Sequence, residues 1–220
     1  MKVSDLIKNL EQIFGGTQQA WWVLENITGK LETEIITNKD LKLTKEQQDK
    51  LNLFIEKTKQ HFPLQYLLES VPFLDLEILV KPPVLIPRPE TEEWVGDLID
   101  SLKRYKKTDF KILDLCSGSG CIALSLAKNF PNSSVVGVDI SQDCINLATQ
   151  NKIKNNISNV EFIFSDLYKN LKQDFKFDLI VANPPYISEE DFKTLQPEVK
   201  NWEDKRALVA NNNGLEIIEK

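Results

Sequence analysis

Histidine is almost missing from this chain: His61 is the only one in 220 residues. A Ser-His-Asp triad and a His-based zinc site are both disfavoured by that scarcity, so the chemistry has to work without imidazole and no metal site is expected. His61 itself follows a helical stretch and precedes Phe62-Pro63, and it reads as a helix-end residue. Cysteine is also sparse. Cys116, Cys121 and Cys144 form no Cys-x-x-Cys pair and are odd in number, which excludes a disulfide scaffold and fits reduced thiols in a cytoplasmic protein. Neither end carries a positively flanked apolar stretch, and no run approaches the roughly 20 apolar residues of a membrane span, so no membrane partner is expected. Arginine is rare as well, with 3 among 27 basic residues, which makes Arg88 in Ile86-Pro87-Arg88-Pro89-Glu90 conspicuous as a partner for a carboxylate. The formal charge of −6 argues against a surface built for phosphate backbones, although a local basic groove can survive within an acidic total. Nucleic acid is therefore the runner-up partner.

What is present divides into two patterns. Up to about residue 70, Leu6, Ile7, Leu10, Ile13 and Phe14 recur at helical spacing, as do Leu51, Phe54 and Ile55. Thr44 with Gln47 forms a capping box for a helix reaching about Gln60, and Gly29 ends another helix that carries Trp21 and Trp22. Residues 1–71 are thus expected to form a small helical domain. Residues 72–89, with Phe73 to Val80 strand-like and Pro82, Pro83, Pro87 and Pro89 as breakers, are expected to be a hairpin-like linker. From residue 90 a helix precedes an alternation of strand and helix: strands at Ile112–Leu115, Ser134–Ile140, Val160–Ser165 and Phe177–Ala182, with helices from Ile122 to Phe130 and from Cys144 to Lys154. That alternation predicts an α/β fold with a four-stranded parallel sheet covered on both faces. Gly214 to Ile218 reads as the start of one more helix. A sheet ending at the fourth strand leaves an exposed edge, so the domain spanning 90–220 is expected to be incomplete at its C-terminal end.

Two segments carry chemistry. Cys116, Ser117, Gly118, Ser119 and Gly120 follow the first strand and open a helix, where small residues let a ligand approach the backbone; Asp139, about 20 residues on, suits ribose hydroxyls. No Gly-Lys-Ser/Thr follows, which excludes a P-loop, but the loop alone does not separate a nicotinamide cofactor from S-adenosylmethionine. Ser165-Asp166-Leu167 after the third strand adds a carboxylate and an apolar neighbour suited to adenine. The second segment, Asn183-Pro184-Pro185-Tyr186, ends the fourth strand. Two prolines give no backbone N–H and hold φ near −65°, so the turn presents carbonyl oxygens and an Asn amide in one stiff arrangement suited to gripping an NH2 group. That task belongs to methyl transfer and has no counterpart in hydride transfer.

Four segments in order, Pro63-Leu-Gln-Tyr, Val84-Leu-Ile-Pro-Arg-Pro-Glu-Thr-Glu, Ile112-Leu-Asp-Leu-Cys-Ser-Gly-Ser-Gly-Cys-Ile-Ala and Asn183-Pro-Pro-Tyr-Ile, resemble the HemK-type release-factor glutamine methyltransferases. Glu69 stands where that family carries glycine, and Trp202-Glu203-Asp204 where it carries Tyr-Glu-Pro. The resemblance implies a class I S-adenosylmethionine-dependent methyltransferase, a Rossmann-like parallel sheet behind a small all-α domain that recognises a partner protein. Its substrate would be the glutamine of the Gly-Gly-Gln motif of class 1 peptide chain release factors. By position, Cys116 to Gly120 would wrap the methionine part of the cofactor, Asp139 the ribose, and Asp166 with Leu167 the adenine. Asn183, at the boundary of cofactor and substrate, and Pro184 would accept hydrogen bonds from the substrate NH2, with Pro185 and Tyr186 against the amide plane. An adenine-amino methyltransferase, a ribosomal-protein glutamine methyltransferase and an inactive fragment that keeps a binding surface remain the alternatives.

Overall fold

The computed structural model describes residues 3–37, 41–172 and 176–220, and the chain divides into two compact units, Met1–Leu68 and Glu69–Lys220. In the first, α1 (Val3–Phe14), α2 (Thr17–Thr28), α3 (Glu32–Thr37), α4 (Lys45–Lys59) and α5 (Leu64–Leu68) enclose one apolar core. Each helix contributes its helical-period stripe: Leu6 and Leu10 from α1, Val23 and Leu24 from α2, Leu51 and Phe54 from α4. Thr44 and Gln47 close the capping box at the start of α4, with bonds of 3.2 and 3.0 Å. Gly29 ends α2 in the left-handed conformation at φ 67. His61 lies just past α4 with φ 58, and Trp21 packs at the margin of the core.

The second unit begins at Glu69, which takes φ 65 where glycine would be unstrained; its carbonyl accepts from Val80 N–H at 3.0 Å. An antiparallel hairpin follows at once, β1 (Ser70–Phe73) with β2 (Leu76–Leu79), turning at Leu74-Asp75. The hairpin therefore precedes the proline-rich stretch. Fully buried Asn151 ties it to the main sheet's helices: its Oδ1 accepts from Leu79 N–H at 2.7 Å, and its Nδ2 donates to the carbonyls of Leu79 and Ser119 at 3.1 and 3.0 Å.

The long helix α6 (Pro89–Lys103) opens with proline at its first position. Then β3 (Lys111–Leu115), α7 (Cys121–Asn129), β4 (Ser134–Asp139), α8 (Gln142–Lys154), β5 (Val160–Phe164) and β6 (Leu179–Ala182) build a parallel sheet of order β5-β4-β3-β6. The central β3 is buried from Ile112 to Leu115, as a parallel strand covered on both faces must be. Short helices α9 (Glu189–Phe192), α10 (Pro197–Trp202) and α11 (Lys205–Leu208) close the order. The segment read as a further helix runs instead as turns. Asn212, Asn213 and Gly214 all have positive φ, which a right-handed helix does not admit, and a Cβ on Gly214 would lie 2.0 Å from the Tyr186 carbonyl oxygen, so this position requires glycine.

Candidate active site

Register builds the site. Leu115 pairs with Val138 on one side and Ala182 on the other, and Asp139 pairs with Phe164. The residues that follow these pairs, Cys116 onward, Asp139–Ser141, Ser165–Leu167 and Asn183 onward, consequently leave the sheet side by side at its C-terminal edge. Beyond β3 the chain continues to β4 on one side while β6 lies on the other, and the crevice at such a switch point is where open α/β sheets bind ligands. One cavity there is lined by Cys116, Gly118, Asp139, Asp166, Leu167, Asn183 and Pro185. Pro184 lines the neighbouring hollow with Leu115, Ile180 and Ala182. Ser117 and Ser119 are buried beneath the loop, Gly120 begins α7, and Tyr186 stands 63% exposed beside the turn.

Local forces shape the loop. Gly118 N–H donates to Asp139 Oδ2 at 2.9 Å, and Ser141 N–H to Asp139 Oδ1 at 2.8 Å, which fixes the carboxylate at the cavity wall. Each oxygen keeps a second lone pair for a ribose hydroxyl. Burial raises the Asp139 carboxyl above its ordinary value, with these two amides pulling the other way. Gly118 has φ 54 and nothing within 4 Å of where a Cβ would stand, so its backbone faces open space. Gly120 is the opposite case: a Cβ there would lie 2.7 Å from Phe162 Cζ. Cys116 holds φ 58 without being glycine, and burial, with Asp139, Asp114 and Asp166 nearby, pushes its thiol up to about 12. At neutral pH it lines the cavity as a thiol and is no nucleophile.

Asp114, on β3 under the loop, has no accessible surface. Its Oδ2 accepts from Ala123 N–H at 3.2 Å, and desolvation, opposed by that bond and aided by Asp139, raises its pKa to about 8 from an ordinary 3.8. Between about pH 4 and 8 the unfolded chain therefore releases this proton while the folded chain keeps it, and stability falls as pH rises through that window. Asp114→Asn is expected to flatten the decline of melting temperature between pH 5 and 8 relative to the parent; parallel profiles would count against a buried neutral acid.

The Asn183 turn is held from both flanks. Asn183 Nδ2 donates to Thr91 Oγ1 at 3.5 Å, and Ile187 exchanges backbone bonds with Leu208 and Ala210 at 2.9 and 3.0 Å. Arg88 finds its carboxylate in Glu203, with Nη2 to Oε2 at 2.5 Å and the Glu203 side chain 1% exposed. Burial nonetheless keeps the Glu203 carboxyl above its ordinary value despite the guanidinium. Asp166 pairs with Lys169 at 2.5 Å. Thr91, Ser141 and Ile140 belong to this neighbourhood but escape a reading of motifs. Ile140 and Ser141 immediately follow Asp139, and sequence distance to the acid was the available signal; Thr91 gave none beyond its place in the Pro-Glu-Thr run.

The donor set fits an adenosyl cofactor. Carboxylates from Asp139 and Asp166 could meet hydroxyl and amine groups, exposed Ile140 and half-buried Leu167 suit a purine ring, and Gly118 leaves room at the backbone. Comparison with known proteins agrees with this reading. Residues 98–199 match the Methyltransferase small domain, and residues 8–68 match the PrmC N-terminal domain. Across its whole length the chain is 36% identical to the release factor glutamine methyltransferase of Thermodesulfovibrio yellowstonii, spanning 78% of that protein. The chain belongs to the release factor glutamine methyltransferase family. The family member from Fusobacterium nucleatum is 40% identical over 86% of this chain and 57% of its own length, and that from Buchnera aphidicola of Acyrthosiphon pisum 34% identical over 97% and 75%. As a family member the chain is a methyltransferase whose cofactor is S-adenosylmethionine. Among the described residues no helix is long and apolar enough to cross a membrane, and no three His, Cys, Asp or Glu side chains are grouped to hold a metal ion.

Proposed function

We propose that the chain methylates the side-chain amide nitrogen of the glutamine in the Gly-Gly-Gln motif of class 1 peptide chain release factors. The observation that supports this reading is the register that sets Asn183 and Pro185 of the stiff turn beside Gly118, Asp139 and Asp166 at one cavity, with Pro184 on the neighbouring hollow. The relatives' shared name supplies the substrate class. Cys116, Ser117, Gly118, Ser119 and Gly120 would hold the methionine part of the cofactor, Asp139 the ribose, and Asp166 with Leu167 the adenine.

When bound, S-adenosylmethionine supplies an electrophilic methyl group. An amide nitrogen is a weak nucleophile because its lone pair is delocalised into the carbonyl, so the protein must orient it and enrich its electron density. Asn183 Oδ1 and the Pro184 carbonyl accept the two N–H bonds of the substrate amide, which does both. Pro185 and the exposed Tyr186 ring confine the amide plane. With no imidazole in the cavity and Cys116 held as a thiol, preorganised acceptors carry the catalysis, and the substrate nitrogen, on taking the methyl group from the cofactor's sulfur, would lose one of its two protons to solvent. The helical unit recognises the protein that bears the glutamine.

The same grip suits the exocyclic amine of adenine, and the exposed Tyr186 face favours that second reading, against the chain's charge of −6. Incubating the chain with methyl-labelled S-adenosylmethionine and either a class 1 release factor or an oligonucleotide decides between them. Label is expected in the release factor alone; label in the oligonucleotide would transfer the assignment to nucleic acid.

A further inference from the structure

We propose that Thr91 is a positioning residue for methyl transfer: its hydroxyl holds the amino end of the Asn183 carboxamide, so that the carbonyl oxygen is the end left to the substrate. This rests on the reading of Asn183 as the group that grips the substrate NH2. A carboxamide has two ends of nearly equal size and opposite hydrogen-bonding sense. An Asn turned the wrong way would set its own NH2 against the substrate's NH2, donor against donor, and the grip would be lost. Prolines 184 and 185 stiffen the backbone after Asn183 but do nothing to the rotation of its side chain. What the amide touches limits that rotation: with the substrate's N–H groups claiming the oxygen on one side, the Thr91 hydroxyl, which can accept as well as donate, takes the amino end on the other.

Thr91 supplies the contact. It is 7% exposed, and its Oγ1 lies 3.5 Å from Asn183 Nδ2. Its own position is fixed through the linker. Thr91 N–H donates to the Arg88 carbonyl at 3.0 Å, the Arg88 side chain is anchored on buried Glu203, and Asp204 N–H donates to the Pro83 carbonyl at 2.7 Å. The first turn of α6 is thus tied to the segment that follows the Asn183 turn, and Thr91 is carried on the part so tied. The Pro87-to-Thr91 stretch, 92 residues away in sequence from Asn183, acquires a reason for its residue types: an anchor at Arg88, a helix start at Pro89 and a hydroxyl at Thr91.

Two conservative substitutions separate positioning from packing. Thr91→Val keeps the branched shape and removes the hydroxyl, whereas Thr91→Ser keeps the hydroxyl and removes a methyl. Positioning predicts that Thr91→Val lowers kcat roughly tenfold, the scale of a modest misplacement of a reacting group. KM for the release factor and cofactor affinity are expected to stay put, and Thr91→Ser is expected to behave like the parent. In the cofactor-free protein the side-chain amide resonances of Asn183 should move in Thr91→Val and hold in Thr91→Ser. Added to Asn183→Ala, Thr91→Val should cost nothing further. Serine as damaging as valine, or unmoved Asn183 resonances in Thr91→Val, would overturn the proposal. Full turnover in Thr91→Val beside crippled Asn183→Ala would overturn it while leaving Asn183 in its role; full turnover in Asn183→Ala would remove that role and the proposal together. Thr91→Ala, compared with Thr91→Ser in the same assays, replaces the valine variant if that one does not fold.

Discussion

Asn183→Ala is expected to lower turnover by roughly two orders of magnitude or more, the scale for losing one preorganised polar contact to a developing charge. The side chain lines the cavity at the end of β6, and its removal would take away one of the two acceptors proposed for the substrate amide while leaving the Pro184 carbonyl in place. The loss should fall on kcat, because the acceptor works hardest when the nitrogen gains positive character. Melting temperature should change little, since Asn183 is only half-buried and its side-chain hydrogen bond to Thr91 is long at 3.5 Å. Asn183→Asp keeps an acceptor oxygen at this position and should retain more activity than alanine. Turnover at the parent level in well-folded Asn183→Ala would remove this residue from the mechanism.

The largest effect on stability is expected at Gly120. Its φ is 82, and a Cβ there would lie 2.7 Å from Phe162 Cζ and 2.9 Å from Ala148 Cβ, two groups wedged against the start of α7. Gly120→Ala meets a left-handed backbone cost of about 1–2 kcal/mol and an overpacking cost of about 1–3 kcal/mol. At about 2–4 °C per kcal/mol for a domain of this size, the second unit should melt on the order of 10 °C lower. Gly118→Ala is the control within the same loop, with φ 54 and open space around its Cβ. It carries only the backbone cost but fills room at the cavity, so it should lose less stability and more affinity for S-adenosylmethionine. Both can be read by thermal melting with and without cofactor. Equal destabilisation by the two substitutions would mean that Phe162 and Ala148 give way, and that the close approach is not what requires glycine at 120.

The sheet was legible because its signals are local. Four apolar runs separated by helical periodicity define β3 to β6, and the capping box at Thr44 and the stop at Gly29 appear where residue type and hydrogen-bonding need coincide. The loop and the Asn183 turn were legible for a related reason: glycines and paired prolines are chosen for backbone constraints that show in the sequence. Long-range pairings were not. Arg88 invited a carboxylate partner, but nothing local names Glu203, which is 115 residues away. Asn151 looks like one more polar residue on a helix, yet it bonds to both Leu79 and Ser119 and joins the hairpin to the cofactor loop. Residue type also conceals backbone strain. Glu69 and Cys116 both sit at positive φ, and neither betrays it by composition, because the surrounding structure imposes the conformation on a side chain that does not favour it. Gly214 misled in the other direction: its neighbours have helical spacing, but Asn212, Asn213 and Gly214 stand at positive φ and the chain runs as turns.

The central claim is that this turn grips the amide of a glutamine side chain and exposes its nitrogen to the cofactor's methyl group. Peptide mass analysis of a class 1 release factor, after incubation with the chain and S-adenosylmethionine, tests it most directly. The account predicts one added methyl group, on the side-chain amide of the Gly-Gly-Gln glutamine, and none when that glutamine is replaced. A methyl group on any other residue, or one that persists after the replacement, would contradict it.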